Sequence, residues 1–99
     1  MTMGDIENQL RLAVRDDSLP VCDLHGMTRV AVKPEVDALL HQFPGIIVRI
    51  MTGRGEGILE GELEAYLKQL ERRSPSPIRG FRQDINTHSF VVFVSGSRT

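Results

Sequence analysis

Several things are scarce in this chain, and each scarcity excludes a class of protein. It has one cysteine, Cys22, so it cannot build an internal disulfide framework, and a reducing compartment is expected. No apolar run approaches the ~18–20 residues that cross a bilayer, so no membrane partner is expected. The opening MTMGDIENQL lacks the basic and apolar segments of a secretory signal, and the closing VSGSRT has no prenylation box. The expected location is therefore cytoplasmic. Ninety-nine residues leave room for one domain, or a domain plus an arm. Net charge is also missing. The formal value is −1, which excludes long-range steering of a polyanion by the whole protein's field. With 40% hydrophobic and 25% charged residues, the composition is that of a globular domain and argues against wholesale disorder.

The charge is unevenly spread. Residues 1–24 are net acidic, and residues 25–99 are slightly basic. Within 68–82, Lys68, Arg72, Arg73, Arg79 and Arg82 face only Glu71, which allows a local basic patch.

The spacing of Ile6, Leu10, Ala13 and Val14 predicts an amphipathic helix over 5–15. Asp5 is its expected N-cap, and Asp16, Asp17, Ser18 and Pro20 end it. Residues 1–19 are expected to form a helical arm that packs on the domain or pairs with a second copy. Residues 20–99 are expected to form the α/β domain. A short strand follows at 21–24, stopped by Gly26. Val32, Val36, Leu39, Leu40 and Phe43 have helical spacing. Pro34 allows two readings: a helix 34–42 with proline at its first position, or a helix that begins near Arg29 and kinks.

IIVRIM at 46–51 reads as a strand buried on both faces. Leu59, Leu63, Tyr66, Leu67 and Leu70 mark the strongest helix, 58–72, with Glu64 and Lys68 paired on its outer side. Strands at 78–82 and 90–94, joined through 83–89, read as an antiparallel hairpin with a longer turn. The order is a helix, then β-α-β-α-β-β. The expected fold class is α/β, a compact sandwich around a mostly parallel, mixed four-stranded sheet with a right-handed crossover.

Two motifs could carry chemistry. Asp23-Leu24-His25-Gly26 ends the first strand. Alternation places Asp23 and His25 on one face, where a carboxylate can orient an imidazole that moves a proton near neutral pH. The plainer reading is a strand-end aspartate that caps the next turn beside an idle histidine, and for a bare D-x-H tripeptide that reading is the commoner. Thr52-Gly53-Arg54-Gly55-Glu56-Gly57 joins the second strand to the strongest helix. Its glycines let backbone N–H groups converge near a helix N-terminus, which suits a phosphate, and Arg54 can grip phosphate oxygens with its guanidinium fork. The plainer reading is a tight turn with a solvent arginine. This loop is neither a P-loop, which needs a Lys-Ser/Thr pair, nor a dinucleotide fingerprint, which needs glycine where Ile58 stands.

Ligands of open α/β sheets bind beyond the carboxyl ends of the strands. If the two strands are neighbours, Asp23, His25, Gly53, Arg54 and Gly55 line one crevice suited to a phosphodiester. Gly26, Arg79, Arg82 and His88 are expected at its rim. Cys22 and His25 have no second pair to complete a zinc site, and Cys22 reads as a small core residue.

VCDLHGMT at 21–28 and IMTGRGEGIL at 50–59 are similar to the two signatures of Small MutS-related (Smr) domains. The chain most resembles the Smr domain at the C-terminus of bacterial MutS paralogues. The resemblance runs from about Val21 to Val94. It implies a fold like the C-terminal domain of translation initiation factor three. It also implies DNA or RNA binding, with nicking endonuclease activity in which Asp23 and His25 are linked to cleavage. Residues Thr52, Gly53, Arg54, Gly55 and Gly57 would bind the nucleic acid. A nicking domain of this kind fits DNA repair, recombination control or translation quality control. The alternative is a binding module of the same fold, for nucleic acid or a ribosomal surface, that does not cut. Asp23 is the one candidate ligand for a magnesium or manganese ion. Two features depart from the family pattern. Residues 83–89 contain no glycine where the family carries Gly-Gly-x-Gly, and Glu60, Glu62 and Glu64 stand where basic residues are usual.

Overall fold

The structure is a computed structural model that describes residues 3–55 and 57–96. It has three layers. The middle layer is a four-stranded sheet of β1 (Val21–Asp23), β2 (Ile47–Met51), β3 (Ile78–Asp84) and β4 (Ser89–Val94), in the order β1-β2-β4-β3. The sheet is mixed, as its strand pattern predicts. Three of its four strands run the same way: β1 is parallel to β2, and β4 alone is reversed, pairing antiparallel with β2 on one side and with β3 on the other. Both helical connections, β1–α2–β2 and β2–α3–β3, are therefore parallel crossovers, and the second passes over β4. The 83–89 hairpin folds β4 back between β2 and β3 and sets the other two pairings.

Helices α2 (Val32–Gln42) and α3 (Ile58–Glu71) cover one face of the sheet. Val36, Leu39 and Leu40 of α2 and Leu63, Leu67 and Leu70 of α3 close over Val48, Ile50, Phe90, Val92 and Val94. Leu24 and Val32 are fully buried in the same core, and Cys22 packs against its edge, where burial pushes its thiol pKa up. The structure also settles the question at Pro34. A 3-10 turn at Arg29–Ala31 leads into α2. Pro34 then sits in the first turn of α2, where its missing N–H costs no hydrogen bond.

Helix α1 (Met3–Ala13) lies on the opposite face. Leu10 is buried there with Val91 and Phe93, and Ile6, Val14 and Ile47 flank it. Asp5 is not the N-cap. The helix begins two residues earlier, so Asp5 lies in its first turn, where its charge complements the helix dipole. After the helix, Asp16 Oδ1 accepts from the Ser18 N–H at 2.8 Å and the Ser18 hydroxyl at 2.6 Å, which turns the chain away. Those two hydrogen bonds lower the Asp16 pKa.

The face toward α1 also buries a charge. Arg49, in the middle of β2, is 7% exposed. Its Nη1 donates to Asp84 Oδ2 at 3.1 Å, Ser89 Oγ at 2.8 Å and Thr87 Oγ1 at 3.2 Å. Its Nη2 donates to the carbonyls of Val14 at 2.8 Å and Ala13 at 3.3 Å, at the end of α1, where carbonyls lack intrahelical partners. Burial alone would raise the Asp84 pKa. Hydrogen bonds from Thr87, Arg49 and the Asn86 N–H, together with the Arg49 charge, outweigh burial and hold it below the usual carboxylate value. One guanidinium thus ties α1, the central strand and the 84–89 loop together.

Candidate nucleic-acid interface

Because β1 and β2 are parallel neighbours with Asp23 opposite Met51, both motifs leave the sheet at the same end. The Leu24 N–H donates to the Met51 carbonyl at 2.7 Å, and the Met27 N–H closes a turn onto the Leu24 carbonyl at 2.9 Å. Asp23 Oδ1 accepts the His25 backbone N–H at 2.9 Å. The recorded bond between the two residues is therefore the turn cap of the plainer reading. Asp23 shapes the turn that presents an exposed His25.

The second motif starts from a fixed point. Thr52 is buried, and both its N–H and its hydroxyl donate to the His88 carbonyl, at 2.9 Å and 3.0 Å. Gly53 follows with φ +77°, and a Cβ there would lie 3.1 Å from the His25 Cβ. Glycine is required at this position twice over, for its backbone angle and for the close approach of His25. The two motifs therefore touch. Gly57, at φ 83°, begins α3. Glu56 lies outside the described residues.

Between the motifs runs a groove of about 440 Å³. One wall is 25–29. The other is 52–55 with the first turn of α3, 57–60. Of the expected site residues, His25, Gly26, Thr52, Gly53, Arg54, Gly55 and Gly57 line it, and Asp23 stands one hydrogen bond behind. Three expected rim residues do not line it. Arg79 and Arg82 belong to β3, the far edge strand. Arg79 sits 5.2 Å from the centroid of the Phe93 ring, and Arg82 pairs in register with Val91, so both lie on the α1 side of the sheet. The basic run 68–82 is accordingly divided between α3 and β3, on opposite faces. His88 reaches the site through its carbonyl. Its backbone is left-handed, φ 52°, in the loop where the sequence has no glycine.

Sequence reasoning missed five groove residues, Met27, Thr28, Arg29, Ile58 and Leu59. Ile58 and Leu59 belong to the helical repeat and Met27 to the turn, so nothing in their spacing marked them. Arg29 follows directly on the first signature, which was the available signal. The carboxylates of α3 are also better accommodated than their sequence suggests. Glu60 accepts a hydrogen bond from Gln83, Glu62 pairs with Arg29 at 3.2 Å, and Glu64 pairs with Lys68 at 3.6 Å. Among the described residues no three metal-ligating side chains converge. Asp23 already spends one oxygen on the His25 N–H, so the residues do not build a cage for a divalent ion.

The profile of the Smr domain matches residues 22–88, about two thirds of the chain. The chain belongs to the Smr domain family. Smr domains bind nucleic acid, and nicking endonucleases occur among them. The fold is similar to the crystal structure of the Smr domain of Thermus thermophilus MutS2, with a TM-score of 0.62 and 20% identity over 77% of this chain and 98% of that one. No curated protein matches the chain significantly. Helix α1 precedes the residues matched by the Smr profile, yet in this Smr domain its last carbonyls are held by Arg49. Among the described residues, no helix is long and apolar enough to cross a membrane.

Proposed function

We propose that this Smr domain binds DNA or RNA in the groove between its two motifs and nicks the phosphodiester slowly. The observation that carries the reading is the packing of His25 on Gly53, which joins a histidine, an arginine and a glycine-rich turn in one groove. Arg54 and the amides of 53–55 would hold the phosphate, with the start of α3 adding partial positive charge. His25 would take the proton of the attacking oxygen or return one to the leaving oxygen. Asp23 would act through the turn, keeping the imidazole presented. The domain would work in the cytoplasm, on strands arising in repair, recombination or translation. Any pairing of two copies through α1 would use its outer side, where Leu12 is 60% exposed, because the inner side lies on the sheet.

The glycine-free last loop and Glu60 in the groove wall favour a second reading, a module that binds without cutting. The test is cleavage of supercoiled plasmid and end-labelled single-stranded RNA at low salt, with and without magnesium or manganese. Wild type should cut, and His25→Ala should not. Binding without cutting by either protein selects the second reading. Equal cutting by both proteins removes His25 from the mechanism.

A further inference from the structure

The groove holds a second arginine that neither motif contributes. Arg29 opens the 3-10 turn before α2 and lines the groove wall that faces Arg54. Its side chain is 67% exposed, and among the described residues it is held by one polar contact, Nη2 to Glu62 Oε1 at 3.2 Å. Glu62 stands one turn beyond the start of α3, with its side chain 31% exposed. An exposed ion pair with one N–O contact is weak. A phosphate offers the same guanidinium two oxygens in parallel, a geometry that a single glutamate oxygen does not match.

Resting on the reading of the groove as a nucleic-acid site, we infer that Arg29 is a phosphate-binding residue and that Glu62 is its built-in competitor. With the groove empty, Glu62 occupies the guanidinium. A phosphate that enters displaces the carboxylate, and the groove then grips the backbone with Arg29 and Arg54 from its two walls. Glu62 thus sets affinity and salt sensitivity. It explains how a chain of near-zero net charge keeps a site for a polyanion while holding it weakly, which suits a domain that must release what it has cut.

The test is fluorescence anisotropy with a labelled single-stranded oligonucleotide, titrated with the full chain between 20 and 200 mM salt. Circular dichroism melting confirms that each variant is folded. Glu62→Gln should bind about two- to tenfold more tightly than wild type, the scale of a weak ion pair plus one removed like charge. Arg29→Ala should bind more weakly, with the slope of log K against log salt reduced by about 0.7, one phosphate contact on a single strand. In the Arg29→Ala background, Glu62→Gln should recover much less than it gains in wild type, because its partner is gone. Glu64→Gln makes the same charge change on the Lys68 pair, outside the groove, and should move affinity little. If Arg54→Ala weakens binding but Glu62→Gln and Arg29→Ala bind as wild type does, the inference falls and the groove reading stands. If Glu64→Gln gains as much as Glu62→Gln, the effect is general charge and the inference falls. If all variants, Arg54→Ala included, bind alike or not at all, the groove reading falls and takes the inference with it.

Discussion

Replacing Arg49 with methionine keeps most of the side chain's length and apolar bulk and removes its charge. The change strips Asp84, Ser89 and Thr87 of a shared donor and takes the Arg49 donor from the Val14 carbonyl, while the Ala13 carbonyl keeps the Asp16 N–H. Asp84, 5% exposed, keeps the Thr87 hydroxyl and the Asn86 N–H, but loses its counter-charge. Removing one partner of a buried pair costs about 3–5 kcal/mol. A domain of this size has about 5–15 kcal/mol in total and shifts by about 4–8 °C per kcal/mol. Melting should therefore fall by at least about 12 °C, and urea unfolding should report the same loss.

The pH dependence provides a second check. The Asp84 pKa is lower in the folded protein than in the unfolded chain. Its contribution to stability is thus complete above the unfolded value of about 4 and disappears as pH falls through the folded pKa. In Arg49→Met the counter-charge is gone and burial favours the neutral acid, so the variant gains relative to wild type on acidification. The stability gap should narrow below pH 4. Adding Asp84→Asn should cost Arg49→Met far less than it costs wild type. A gap under about 1 kcal/mol, a gap constant from pH 3 to 7, or strictly additive variants would refute this account of the buried charge.

Three other substitutions probe the site's scaffold. Gly53→Ala forces a side chain into φ +77° and against the His25 Cβ; it should cost about 1–2 kcal/mol in thermal melts and abolish His25-dependent cleavage. Thr52→Val removes the hydroxyl bond to the His88 carbonyl and should cost about 1 kcal/mol in urea unfolding, while Thr52→Ser should keep most of it. At His88, φ 52° predicts a melting order in which glycine at least equals histidine, since relief of left-handed strain roughly offsets its entropy cost of about 0.5–1 kcal/mol, and His88→Val falls clearly below both.

What was legible in the sequence followed from periodicity and punctuation. The repeats of α1, α2 and α3, the β-branched run of β2 and the turn residues between them place every regular element within a few residues. The glycine spacing and D-x-H point to the groove, because both sit where parallel neighbouring strands end. Strand pairing was less legible. The hairpin inserts β4 beside β2, and no local pattern specifies that a strand enters the middle of a sheet. Arg79 and Arg82 were misplaced for the same reason, since their distance from the site depends on β3 being the far edge. Arg49 stood in plain view as the single charge inside IIVRIM. That charge signals a polar partner on the far face, but its partners come from residues 13–14 and 84–89, and only the folded chain brings them together. Asp23 illustrates a different limit, because its spacing from His25 allows side-chain contact and backbone capping equally.

The central claim is that nucleic acid lies in the groove between the two motifs. Amide chemical-shift mapping with a short single-stranded oligonucleotide tests it most directly. Shifts should concentrate in 25–29 and 52–60 and be reduced by Arg54→Ala. Shifts centred instead on the hollow at the opposite end of the sheet, lined by His41, Arg73 and Ser95, would contradict it.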